Sequence, residues 1–168
     1  MTKLANWLRR WPVILVFLGL LLLTAASFIP VRQAVDGAML DMIFSGSAAR
    51  ERVSELTADQ RLAHFWGTLI NDTVFPFAYA GLFAGLAARF ASGKRRAIVI
   101  LPAFLAAAVD LLENWVQVLA LSDAADILAA KTVLTPLKFA LLLAAIILAA
   151  ALAAANLLRR DRTALSGD

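Results

Sequence analysis

Cysteine is absent from this sequence. Disulfides, thiolate metal sites and thiol nucleophiles are therefore excluded. Histidine occurs once, as His64, which excludes a histidine-rich zinc site within one chain. There is no glycine-rich phosphate loop and no interleaving of basic and aromatic residues, so the usual grounds for nucleotide or nucleic-acid binding are missing. No metal, cofactor or nucleic-acid partner is expected. Polar sequence is scarce too. Hydrophobic residues make up 62% of the 168 positions and the mean hydropathy is +0.80. A soluble domain is nearer 45–50% apolar. The length suits a single domain, 1–168.

What is present is long apolar runs. About 20 mostly apolar residues cross a hydrocarbon core of about 30 Å as a helix. Four stretches qualify, at about 12–29, 63–90, 97–121 and 124–158. The expected fold class is all-α: a polytopic membrane protein built as a four-transmembrane-helix bundle. Pro12 suits a helix start, where its missing N–H costs nothing. Trp7 and Trp11, beside Arg9 and Arg10, read as interfacial anchors. The fourth stretch exceeds one crossing and should tilt or protrude.

Charge sorts the connections. Lys3, Arg9 and Arg10 precede the first stretch, and Arg89, Lys94, Arg95 and Arg96 join the second to the third. Arg159, Arg160 and Arg162 follow the fourth. The remaining connections carry Asp36, Asp41, Glu51, Glu55, Asp59, Asp123 and Asp126 among fewer arginines. The positive-inside rule then puts both termini in the cytoplasm of a multi-pass protein. The compact, Ala- and Leu-rich composition points to a bacterial inner membrane. A cleaved leader is the competing account of the first stretch, because small residues stand at Ala25, Ala26 and Ser27. Its apolar run is long for a signal, and no clear cleavage pattern follows.

The segment 31–62 is expected outside the cytoplasm. Val31, Val35, Met39, Met42 and Ile43 recur at near-helical spacing, which predicts a short amphipathic helix on the interface. Ser45–Gly46–Ser47 breaks it, and a second helical piece is expected from Ala48. Thr57 and Gln60 match a capping box that starts the second long helix. Ser122 is read as the cap of the fourth, with Asp123 and Asp126 in its first turn. Gly81 and Gly85, and the alanines between 144 and 155, offer faces for close helix approach.

Inside these apolar stretches stand Asp72, Asp110, Glu113 and Lys138. A charge facing lipid costs about 2.5–3.5 kcal/mol on insertion scales. Four are not carried unless they meet each other, water or a ligand. Asp110, Glu113, Asn114 and Gln117 share one helical stripe. Lys131, Thr135 and Lys138 form a second, and His64, Thr68, Asn71, Asp72 and Tyr79 a looser third. The three stripes are expected to converge in the non-cytoplasmic half. Pro76 and Pro136 cannot donate to the carbonyls of Asp72 and Thr132, which therefore need other partners. Thr132 and Thr135 are candidates for the second of these. His64 reads as an ordinary interfacial histidine, and Lys131 as able to reach water along its stem. Tyr79, Trp66 and Trp115 read as packing or interfacial residues.

Three functions compete. The first is binding of a lipid or other small amphiphile in a polar, charge-paired pocket opening to the non-cytoplasmic side, extending to its chemical modification. Asn71, Asp72, Asn114, Gln117, Lys131, Thr135 and Lys138 would bind the ligand. Asp110 and Glu113 would be the acid and base of any reaction, with pKa values pushed apart. Four helices with buried acids resemble, in layout alone, small sterol-isomerase-type membrane domains, and no residue role is taken from that likeness. The second is a proton- or ion-coupled transporter subunit acting as a homo-oligomer. The third is a structural or assembly protein whose charges only lock the bundle, since a buried ion pair often adds little net stability. Membrane lipids are the expected partners.

Overall fold

The structure, a computed structural model, describes residues 2–165, with side chains as far as residue 159. The side chains of Arg160 and Arg162, part of the predicted basic end, lie outside the described residues. The chain is 87% helix, with no strand among the described residues. Four helical stretches are long and apolar enough to cross a membrane: Trp11–Val35, Ala58–Phe90, Gly93–Leu121 and Leu128–Arg159.

The first long helix is α2 (Trp11–Val35), preceded by a short α1 (Thr2–Leu8). Pro12 sits in its first turn as expected, and Pro30 is accommodated inside it. The predicted amphipathic helix after Val31 does not form. Val31 and Val35 belong to the last turn of α2, which ends at Asp36. Asp36 and Gly37 then take positive φ values of 50° and 132°, a reversal that right-handed helix cannot continue through. Met39 precedes and Met42 ends a single tight turn, Leu40–Met42. Arg52 holds the reversal closed by donating to the carbonyls of Val35, Asp36 and Ala38 at 2.9–3.3 Å.

Ser45 caps α3 (Gly46–Glu55), which starts two residues earlier than expected. This helix folds back over the end of the bundle. A Cβ on Gly46 would lie 2.5 Å from the Leu128 carbonyl, so only glycine permits this approach. Gly46 N–H donates to Thr132 Oγ1 at 3.1 Å. The Thr57–Gln60 capping box is present in full and starts α4 (Ala58–Trp66). One wide π-helical turn, Gly67–Asn71, joins α4 to α5 (Asp72–Phe90). Asp72 N–H there reaches back five residues to the Gly67 carbonyl. Such turns insert one residue into a helix and recur at functional sites.

A short helix, α6 (Arg96–Val99), leads into α7 (Leu101–Leu121), which ends at Ser122. Ser122 does not cap the fourth long helix, contrary to what its sequence context predicts. Its hydroxyl donates back to the Val118 carbonyl at 2.8 Å and closes α7 rather than opening the next helix. Asp123, at φ 58°, turns the chain away. Arg61 holds that terminus through the carbonyls of Ala120 and Leu121, which have no acceptor role left within α7. The last helix, α8 (Lys131–Leu165), follows a tight turn at Leu128–Ala130 and so begins several residues later than expected.

The second long helix is central: α2, α7 and α8 all pack on α5, and α7 packs on α8. Gly81 and Gly85 permit the close approach of α1 and α2. A Cβ on Gly81 would stand 2.3 Å from the Phe17 ring, and one on Gly85 2.9 Å from the Leu8 carbonyl. Alanines do the same elsewhere, with Ala80, Ala84, Ala103, Ala106 and Ala145 in one core. That core fills the end carrying Arg9, Arg89 and Arg96. A second core, around Leu40, Ala49, Val116, Leu121 and Leu128, fills the opposite, loop-bearing end. The polar residues lie between the two. The outer helices remain apolar on the outside: only 11% of the most apolar stretch of α2, and of that of α8, is buried, against 56% for the second span.

Candidate functional site

The polar cluster has a sealed half and an open half. In the sealed half, Lys131 Nζ pairs with Glu113 Oε1, and both side chains are fully buried. Thr135 Oγ1 donates to the same oxygen at 2.7 Å, and Gln117 Nε2 approaches it at 3.4 Å. Helix periodicity explains the meeting: Glu113 and Gln117 are one turn apart on α7, as are Lys131 and Thr135 on α8. Lys131 does not reach water, contrary to expectation. Its Nζ is held inward by Glu113 and Thr135, and Gly46 at the start of α3 packs against Leu128 and Ala129 in the turn just before it. His64 is likewise buried, not interfacial. Leu40 N–H donates to its Nε2 at 3.0 Å, which leaves the ring proton on Nδ1, 3.2 Å from Thr68 Oγ1.

Lys138 joins the halves. Its Nζ lies 3.0 Å from Asp110 Oδ1 and 3.0 Å from Glu113 Oε2. Tyr79 OH donates to Asp110 Oδ2 at 3.1 Å. Asp110 and Lys138 face a cavity of about 620 Å³, within the usual range for ligand pockets. Its walls come from Ala25, Phe28 and Arg32 of α2, Asp72, Phe75 and Tyr79 of α5, and Lys138, Phe139 and Leu142 of α8. The stretch after α2 adds Ala38, Met39, Asp41 and Met42. The cavity lies where α2 and α8 both pack on α5 and make little or no contact with one another. It is a cleft between the first and last long helices, with Phe44 stacked on Phe139 at 5.4 Å near its edge.

The predicted site residues therefore separate. Asp72, Asp110 and Lys138 line the cavity, whereas Glu113, Gln117, Lys131 and Thr135 are packed behind it. Asp110 and Glu113 share no accessible face, so only Asp110 can touch a molecule in the cleft. Asn114 supports the site rather than lining it. Its Nδ2 donates to the Asp72 carbonyl at 2.6 Å. That carbonyl is the one deprived of a helical donor by Pro76, so the partner it requires is supplied from α7. Thr132 and Thr135 do not play the matching part for Pro136 that was expected of them. The Thr132 hydroxyl accepts from Gly46, and the Thr135 hydroxyl donates to Glu113. Asn71 is excluded from the cluster. It donates to the Ser27 carbonyl on α2 at 3.0 Å. Adjacent helical residues do not face the same way, so Asn71 and Asp72 could not both have joined it.

Tyr79 is the clearest residue that sequence reasoning undervalued. It is 2% exposed and bonded to Asp110. Its spacing of seven from Asp72 was the available signal. Asp41 had no such signal, because the chain reversal at Asp36–Gly37 brings it to the cavity, whereas Arg32 stands on α2 one turn from Phe28. Among the described residues, no group of three or more acidic or histidine side chains is arranged to hold a metal ion. Compared with protein-family models, curated proteins and solved structures, the chain matches none.

Proposed function

We propose that this is a four-span membrane protein that binds a lipid or other small amphiphile in the cleft between α2 and α8. The single observation carrying this reading is the cavity itself: a charged floor of Asp72, Asp110 and Lys138 below walls of Phe28, Phe75, Phe139 and Leu142. An amphiphile has that division of polarity. The two helices flanking the cleft also suit apolar surroundings, with Leu15, Val16, Leu22 and Leu23 exposed on α2 and Val133, Leu143 and Ile147 on α8. Helices of 25 to 33 residues, at about 1.5 Å each, exceed the roughly 30 Å core of a bilayer and cross it with length left for tilt or protrusion. The arginine-bearing end is placed in the cytoplasm by the positive-inside rule, with the site near the other face. A bacterial inner membrane is the setting that the composition suggests.

A transporter has less support. Toward the arginine-bearing end the bundle is closed by the alanine core, with no polar path through it among the described residues. The test is native mass spectrometry of protein purified in mild detergent. Bound lipid is expected on the wild type and is expected to be lost from a Leu142→Trp variant that fills the cleft. A wild type that carries no lipid, or a filled cleft that carries as much, overturns the reading.

A further inference from the structure

Most charges of the cluster satisfy one another. Asp110 is met by Tyr79 and Lys138, and Lys138 by Asp110 and Glu113. Two acids on the cavity wall are not met in this way. Asp72, 6% exposed, has its Oδ2 buried with no hydrogen-bond donor among the described residues. Asp41 Oδ1 is in the same condition. These two carboxyl groups come from different elements, α5 and the stretch after α2, and line the same cavity. With Asp110 they place three acids on a wall whose cations are Lys138, already engaged, and Arg32. Arg32 is exposed and has no carboxylate partner among the described residues.

Aromatic rings line the same cavity as these acids. Phe28 and Phe75 meet edge to face at 5.8 Å, and Phe75 and Tyr79 at 5.7 Å, all three on the cavity wall. Carboxylates without donors beside aromatic rings form the environment that receives an ammonium group, through charge-assisted hydrogen bonds and ring faces. A lone guanidinium on the same wall suits a phosphate oxygen.

We propose that the cleft selects amphiphiles carrying an ammonium headgroup, with Asp72 and Asp41 receiving the cation and Arg32 the phosphate of a zwitterionic phospholipid. This rests on the amphiphile-binding reading above and specifies the ligand class. Full-length protein in detergent is offered equal amounts of phosphatidylethanolamine and phosphatidylglycerol with the same acyl chains, and bound lipid is weighed by native mass spectrometry. A preference of tenfold or more for phosphatidylethanolamine is expected, falling toward parity in Asp72→Asn and in Asp41→Asn. Equal binding of the two lipids by wild type overturns the ammonium assignment and leaves amphiphile binding standing. Binding of neither lipid overturns both. A preference that persists in both variants also overturns the assignment. A variant-free arm covers the case of a misfolded mutant. Dodecylammonium is expected to displace bound phosphatidylethanolamine from wild type and dodecanol is not; equal displacement by both overturns the proposal.

Discussion

Glu113 with Lys131 and Asp110 with Lys138 are the same chemistry on the same two helices, about one turn of α7 apart. Their surroundings differ. The first pair is fully buried. The second lies on a cavity that also holds an acid without a donor, Asp72. A charge pair whose every neighbour is protein can act only on the fold. One that faces a cavity can act on a ligand. Residue type and depth along the helix are shared, so neither distinguishes the two. Access does.

Removing one member of the sealed pair should have the largest effect. Glu113→Ala leaves Lys131 buried without its carboxylate, and breaking such a pair costs about 3–5 kcal/mol. Thermal unfolding in detergent should show a steep loss of stability. Replacing both residues by neutral side chains of similar size, Glu113→Gln with Lys131→Met, should recover most of it. A Glu113→Ala protein that melts like wild type would break the distinction between the two halves.

Asn114→Ala should come next. It strips the side-chain donor that reaches the Asp72 carbonyl, and a buried acceptor left unmet costs about 1–3 kcal/mol. The comparison can be sharpened in a Pro76→Ala background, where a helical N–H returns to that carbonyl. The loss caused by Asn114→Ala should shrink there, and an undiminished loss would show that Asn114 acts elsewhere.

Asp72→Asn should move stability by less than about 1 kcal/mol, because its buried Oδ2 has no donor to lose. Lipid retention should nevertheless fall. The opposite pattern, unstable protein with retained lipid, would place Asp72 with the sealed half.

The smallest effect belongs to a pair outside the cluster. Arg50 Nη2 donates to Asp126 Oδ1 at 3.0 Å on the loop-bearing surface, with both side chains about half exposed. The hydrogen bond from Arg50, aided by the Leu128 N–H, holds the Asp126 carboxyl below its ordinary range. A carboxyl lowered on folding stabilises the protein above its unfolded pKa and loses that contribution as pH falls through the folded value. Melting curves of wild type and Asp126→Asn should therefore differ slightly at neutral pH and converge in acid. A gap that widens as the pH falls would contradict the assignment. Solvent screens such pairs, which is why this one ranks last.

Much of the fold was legible because helix-forming apolar runs report themselves locally. Four stretches, the Thr57 capping box, the close-approach glycines and the three polar stripes follow from spacing alone. The departures from that pattern come from turns of the chain. Ser122 closes α7 because the chain turns away at Asp123. The surroundings of Lys131, His64 and the residues after Val31 depend on how the segment between α2 and α4 folds back. Two consecutive positive φ values at Asp36 and Gly37 direct that return, and Arg52 fastens it. Nothing in hydrophobic periodicity encodes such a reversal.

Periodicity of 3.6 residues and the cost of isolated charge in apolar helices were sufficient for the sequence to determine a helical bundle with converging polar stripes. Which charges end up sealed and which border a cavity was decided only in three dimensions. That outcome depends on which helices touch, and here the first and last long helices lean on the central one and leave a space between themselves. Helix-to-helix contact is a property of pairs distant in the chain, so no local pattern could have specified it.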